Sequence, residues 1–273
     1  MDRNPCVNLQ NSMEAWNSNL YFRWGMRKAI RLFFIFFKIN WMQETEYRVN
    51  LLVNSLMGII WSFTFILFVQ VIFGHVRSIA GWTKLEIMLL SVTQMLTWGV
   101  MNISLLPGMS NLSGKIKQGS LDMALVKPVS PRLLMAIADQ NIDGLLYIVV
   151  LFVTAMTLAN NINNSLLGLS IGGYILLVIL GAFILSNVYL IIHSTAFWLI
   201  DLFNISHLNS TIANSAQFPP EIFNPKIRLV FCYLIPTVFI STVPTKVLLG
   251  GSILPSVLLA VIIAIFTFII SQM

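Results

Sequence analysis

The sequence predicts an all-α, polytopic membrane protein: six transmembrane helices, an N-terminal interfacial helix and a short amphipathic helix in a cytoplasmic loop. Three observations predict it. Hydrophobic residues make up 57% and charged residues 10% of the 273-residue chain, against about 25% charged in a soluble globular domain. The apolar residues are gathered into runs long enough to cross a bilayer. Lys and Arg fall mostly on one side of those runs.

Residues 1–19 form a polar tail without the basic-then-apolar order of a cleavable signal peptide. Residues 20–44 mix Arg23, Arg27, Lys28, Arg31 and Lys38 with Trp24, Phe33, Phe34, Phe36 and Phe37. Arg23, Arg27 and Arg31 recur every four residues and so share one helix stripe. That pattern suits an amphipathic helix lying at anionic headgroups, or equally a basic flank ahead of the first span. Residues 45–273 form the six-span domain.

The first span covers residues 49–73 and is interrupted by Asn54 and Gln70. A rise of about 1.5 Å per residue carries it across a roughly 30 Å hydrocarbon core. A connection with His75, Arg77, Gly81, Trp82 and Lys84 leads to a second span at 87–106, ended by Pro107 and Gly108. The third has its core at 144–159, with Asp139 and Asp143 ahead of it and a turn of Asn160, Asn161, Asn163 and Asn164 behind. The fourth run, 166–200, exceeds one crossing, so its helix tilts or protrudes. Residues 201–228 are polar and carry Pro219, Pro220 and Pro225. A fifth helix is expected to run to Ile240, then an irregular or re-entrant element at 244–251 near Pro244, then a sixth span at 253–270.

With six spans and the N-terminus inside, thirteen Lys and Arg are cytoplasmic, Lys226 and Arg228 among them. Only Arg77, Lys84 and Lys246 lie opposite. The asymmetry puts both termini in the cytoplasm of a multi-pass plasma-membrane protein, the inner membrane in a bacterium. The net charge of +6 is thereby explained by bases flanking apolar runs, and nucleic acid is not an expected partner.

Catalytic and metal-binding apparatus is not visible. Gly114 and Lys115 superficially resemble a phosphate loop, but five residues separate Gly108 from Gly114 and Ile116 stands where a hydroxyl would hold Mg²⁺. His75, His193, His207, Cys6 and Cys232 lie far apart, so no metal or cofactor is expected. No Asp, Glu, Lys or Arg sits mid-span, as a proton-driven carrier would need. Asn54, Gln94, Asn102, Asn187 and His193 are the polar groups inside spans. They are candidates for a substrate pathway, with interhelical hydrogen bonding as the competing role.

The loop from 107 to 132 holds a capped helix. Gly119 and Ser120 start it, Leu121, Ala124 and Leu125 share a face, and Pro128 stops it. Ser130 and Pro131 open the next helix. The run Gly119-Ser120-Leu121-Asp122-Met123-Ala124-Leu125-Val126-Lys127-Pro128-Val129-Ser130 resembles the coupling loop of type 2 ABC transporter permeases. Phe218-Pro219-Pro220-Glu221-Ile222-Phe223 with Arg228, Pro236 and Pro244, and the run from His75 to Trp82, are similar to the viologen-exporter-like subgroup. The resemblance spans residues 45–250 in order.

It implies a permease subunit of an ATP-driven exporter, not itself an enzyme, working as a homo- or heterodimer on a separate ABC ATPase. Gly119, Ser120, Leu121, Asp122, Leu125, Lys127 and Pro128 would then form the coupling helix. The alternative reading is an ATP-independent secondary carrier or channel. Membrane lipid is the remaining partner.

Overall fold

The computed structural model describes residues 31, 34–46, 48–104, 141, 144–162, 168–194, 205–229, 231–232 and 236–271. Gly119 to Pro128, most of the 20–44 segment and the Gly114-Lys115 loop lie outside the described residues. A helical stretch over 34–46 precedes eight labelled helices. They are α1 (Arg48–Ile72), α2 (Lys84–Ser104), α3 (Leu145–Ile162), α4 (Gly168–Ser194), α5 (Ile205–Ser215), α6 (Pro225–Leu229), α7 (Thr242–Leu248) and α8 (Ile253–Ile270). Among the described residues the only strand-like pairing is one bridge between Ile79 and Trp82.

Four helices are long and apolar enough to cross a membrane: α1, α3, α4 and α8. They coincide with the expected first, third, fourth and sixth spans. The helix of the second span, α2, is as long as the others but carries Ser91, Thr93, Gln94 and Thr97, all at most 2% exposed. Leu89, Leu90 and Val92 beside them are fully buried, so α2 is the centre of the bundle. It packs on α1, α3, α4 and α7.

Local chemistry fixes the turn into α2. Ala80 (φ 50°) and Gly81 (φ 85°) both take positive φ, and Trp82 N–H donates to Ile79 O at 2.9 Å. Two positive-φ residues between paired neighbours make a tight primed turn, in which glycine carries no β-carbon penalty. Thr83 follows, and Glu86 reaches back to accept from its backbone N–H at 2.8 Å and its hydroxyl at 2.9 Å. This satisfies a donor at the start of the helix and sets a negative charge at the positive end of its dipole.

The fifth segment departs from expectation twice. Among the described residues the helix expected to reach Ile240 is not unbroken: α6 covers Pro225–Leu229, and Pro236 leads into a 3-10 turn at Thr237–Phe239. The region expected to hold an irregular or re-entrant element holds the short helix α7, with Pro244 buried in its first turn. Proline is tolerated there because first-turn N–H groups have no partner within the helix. Beyond α7, Gly250 (φ 99°) ends the helix: its N–H donates to Val247 O and that of Gly251 to Lys246 O at 2.8 Å. This double closure requires a left-handed residue, which glycine supplies.

The second departure concerns residues 201–228, expected as a cytoplasmic connection. Residues 213–221 instead climb along α2. Ala213 O accepts from Gln94, Gln217 O accepts from Ser91, and Glu221 reaches the hollow that Glu86 also lines. Glu221 stands 3.5 Å from Lys246, whose ammonium lies 5.4 Å over the Trp82 ring. The segment therefore reaches the end of the bundle that holds Trp82. Phe223 packs on Phe231 at 5.1 Å, which keeps Lys226 and Arg228 at that same end. The error arose from polarity: Asn209, Ser210, Thr211, Asn214, Ser215 and Gln217 read as a loop, yet Ser210 and Ser215 are half-buried and Gln217 is buried, with Thr211 and Asn214 exposed.

Candidate functional site: a polar cleft beside the central helix

Hydroxyl donors hold the returning chain to α2 and α4. Thr97 Oγ1 donates to Ile240 O at 2.8 Å, Ser241 Oγ donates to Ala216 O at 2.6 Å, and Thr93 Oγ1 lies 3.1 Å from Tyr174 Oη. Thr245 Oγ1 donates to Thr93 Oγ1 at 3.3 Å, so α7 joins the same network. Away from water, each such bond satisfies groups that are costly to leave unmade.

On its other side, α2 borders a cleft of about 340 Å³. Gln94, Trp98 and Asn102 line it from α2 at intervals of four residues, which puts them on one stripe. Gly58 and Trp61 face them from α1, Asn141, Gly144 and Tyr147 from the start of α3, and Asn214 and Gln217 from α5 and its end. Every described residue lining the cleft is uncharged. Glycines let its walls pack closely: a β-carbon on Gly58 would stand 3.0 Å from the Tyr147 ring, and one on Gly99 would stand 3.1 Å from Ile148. Tyr147 Oη is held 3.0 Å from Ser62 Oγ, and Trp98 packs edge-on against Tyr189 at 6.0 Å.

Of the five polar span residues, the structure brings Gln94 and Asn102 into this cleft. Gln94 is 2% exposed and its Nε2 donates to Ala213 O at 2.9 Å. Asn102 Nδ2 donates to Trp98 O at 3.1 Å. Asn187 and His193 are buried on α4, where Asn187 donates to Phe183 O and accepts from Ser271 Oγ at 3.2 Å. That contact joins α4 to the end of α8. Asn54 is exposed on α1. Trp61, Trp98, Tyr147, Asn214 and Gln217 were not expected in the site, although Trp98 lies midway on the Gln94 to Asn102 stripe. A second hollow, of about 460 Å³, lies at the far end among Trp82, Glu86, Glu221 and Lys246.

A helical bundle with buried hydroxyl ties, a polar cleft and four helices long and apolar enough to cross a membrane has the architecture of a multi-pass membrane protein. The chain belongs to the family described as ABC-2 family transporter protein, which matches residues 59–273. It is accordingly a multi-pass membrane permease of an ABC transporter, a transport component rather than the catalytic one, of the kind that works with an ABC ATPase. No curated protein and no solved structure matches the chain.

Proposed function

We propose that this chain is the transmembrane permease subunit of an ATP-driven exporter, of the viologen-exporter-like subgroup, and lines the cargo pathway as a dimer coupled to a separate ATPase. The observation that carries the reading is where the cleft lies. Asn102 ends one wall and Asn141 and Gly144 begin another, and these residues flank the 105–140 segment in the chain. A push on Ser120 to Lys127 therefore reaches the cleft walls through α2 and α3, which pack against each other along their length.

Six spans follow if α2 and the path through α5 cross with the four apolar helices. With the N-terminus inside, moving Lys226 and Arg228 to the Trp82 end leaves eleven Lys and Arg against five, still in favour of cytoplasmic termini. The cleft then lies in the cytoplasmic half, where an exporter loads. Apolar residues along α1 and α8, such as Met57, Phe63, Leu254 and Ile262, are exposed by more than half and suit lipid and a second permease chain. The 34–46 helix, with Phe34 and Met42 exposed, suits the headgroup layer.

The test is purification from native membrane. A nucleotide-binding subunit is expected to co-purify, with ATPase activity sensitive to vanadate and lost when the subunits are separated. Transport by the isolated chain in liposomes without ATP would overturn the reading.

A further inference from the structure

We infer that residues 222–229 are a docking surface for anionic phospholipid: Ile222, Ile227 and Leu229 enter the headgroup boundary of the leaflet at the Trp82 end, and Lys226 and Arg228 hold its phosphates. The inference rests on the chain being a multi-pass membrane protein and is independent of its ATPase and its cargo.

The segment begins where burial stops. Pro219 and Pro220 are buried, whereas every residue from Glu221 to Leu229 is exposed except the half-buried Phe223. Prolines shape it. Pro220 opens a 3-10 turn and Pro225 opens α6, each at a position where the missing N–H costs no helical bond. Five residues of helix do not hold themselves together in water, so α6 depends on what flanks it. Two contacts anchor the segment: Glu221 on Lys246 at 3.5 Å, and the Phe223 ring on that of Phe231. They keep it near the level of Trp82 and Gly251, which line the outer hollow with Glu221 and lie in the turns joining α1 to α2 and α7 to α8. Spans end at that level, so it is where headgroups lie.

Its composition fits that layer. Ile222, Ile227 and Leu229 are 41%, 48% and 59% exposed, which water disfavours. Lys226 and Arg228, exposed beside them, are equally unsuited to hydrocarbon. Apolar side chains among exposed bases are the pattern of a segment lying in the interface, with the stems of the bases along the acyl boundary and their charges at the phosphates. The balance of charge sets the sign of the lipid. At this end the described residues carry Arg77, Lys84, Lys226, Arg228 and Lys246 against Glu86 and Glu221, and Glu221 already faces Lys246. Orientation alone asks for few bases on the outer side. Anionic headgroups, which attract each nearby Lys or Arg, account for the excess.

The experiment uses the full chain in nanodiscs with a bimane fluorophore on one cysteine, Ile227→Cys in a Cys6→Ser, Cys232→Ser background. A trace of phospholipid with a nitroxide near the headgroup end of its acyl chain is added, either as phosphatidylglycerol or as phosphatidylcholine. The phosphatidylglycerol probe is expected to quench about threefold more efficiently or better. Lys226→Gln together with Arg228→Gln is expected to bring the two probes level, and raising the salt to about 1 M is expected to narrow the gap. The same fluorophore at Ile262→Cys, on the exposed side of α8, is expected to show no preference in any variant. Quenching of the Ile227 position by neither probe would put the segment in water or against another protein chain. Equal quenching by both would deny the selectivity for anionic lipid, and a preference that survives neutralisation of Lys226 and Arg228 would take it from these residues. Each of these three results overturns the inference. Loss of the ATPase from the preparation would fault the functional reading and leave this measurement intact.

Discussion

The carbonyl oxygen of Phe239 lies 2.6 Å from the point where a β-carbon on Gly181 would stand. The 3-10 turn before α7 thus rests on bare backbone of α4, an approach only glycine allows. Gly181→Val is expected to lower the thermal midpoint of the purified protein by several degrees, through displacement of the turn. Gly172→Ala on the same helix meets nothing within 4 Å and is expected to be neutral or slightly stabilising. Equal midpoints for the two variants would contradict the packing.

The tie from Thr97 to Ile240 O makes a separate prediction. Thr97→Val keeps the shape and removes the donor, leaving a buried carbonyl without that partner, at a cost of about 1 to 3 kcal/mol. Thr97→Ser is expected to retain most of the stability. Denaturant titration in detergent, comparing all three proteins, reads the difference directly.

Four spans were legible because lipid-facing helices must be apolar over their length, as Val49–Ile72 and Ile253–Ile270 are. The cleft stripe was half legible, through Gln94 and Asn102. The climb of residues 213–221 was not, since hydropathy reports contact with lipid. A segment packed on α2 and lining a polar cleft is free to carry Asn214, Ser215 and Gln217. Pro236 and Pro244 both read as breaks, yet Pro244 lies within α7. The difference is position, since a first-turn proline removes no helical bond.

The corrected course of that segment is open to chemical labelling. In a Cys6→Ser, Cys232→Ser background, single cysteines at Glu221, Lys246 and Gly81 are expected to react with a membrane-impermeant maleimide from the same side. A cysteine at Lys115 is expected to react only after the membrane is opened. Labelling of the Glu221 position together with Lys115, and apart from Gly81, would return the segment to the cytoplasm.

Breaking the ion pair itself is expected to change little. Lys246 and Glu221 side chains are 55% and 34% exposed, so solvent screens their attraction. Lys246→Met is expected to shift stability by less than about 1 kcal/mol. A double-mutant cycle with Glu221→Gln measures the coupling, and a value of several kcal/mol would show the Trp82 end to be far drier than this geometry allows.

The central claim is that closure of a separate ATPase drives this permease through Ser120 to Lys127. Leu121 and Leu125 would be the anchors, since burying each leucine side chain fully contributes about 1.5 to 3 kcal/mol. The direct measurement is the ATP-dependent transport rate of the reconstituted complex carrying Leu121→Asp and Leu125→Asp, beside the unaltered complex. The double variant is expected to insert normally, to bind its ATPase weakly and to lose transport. Normal insertion with full ATPase binding and an undiminished rate would contradict the account.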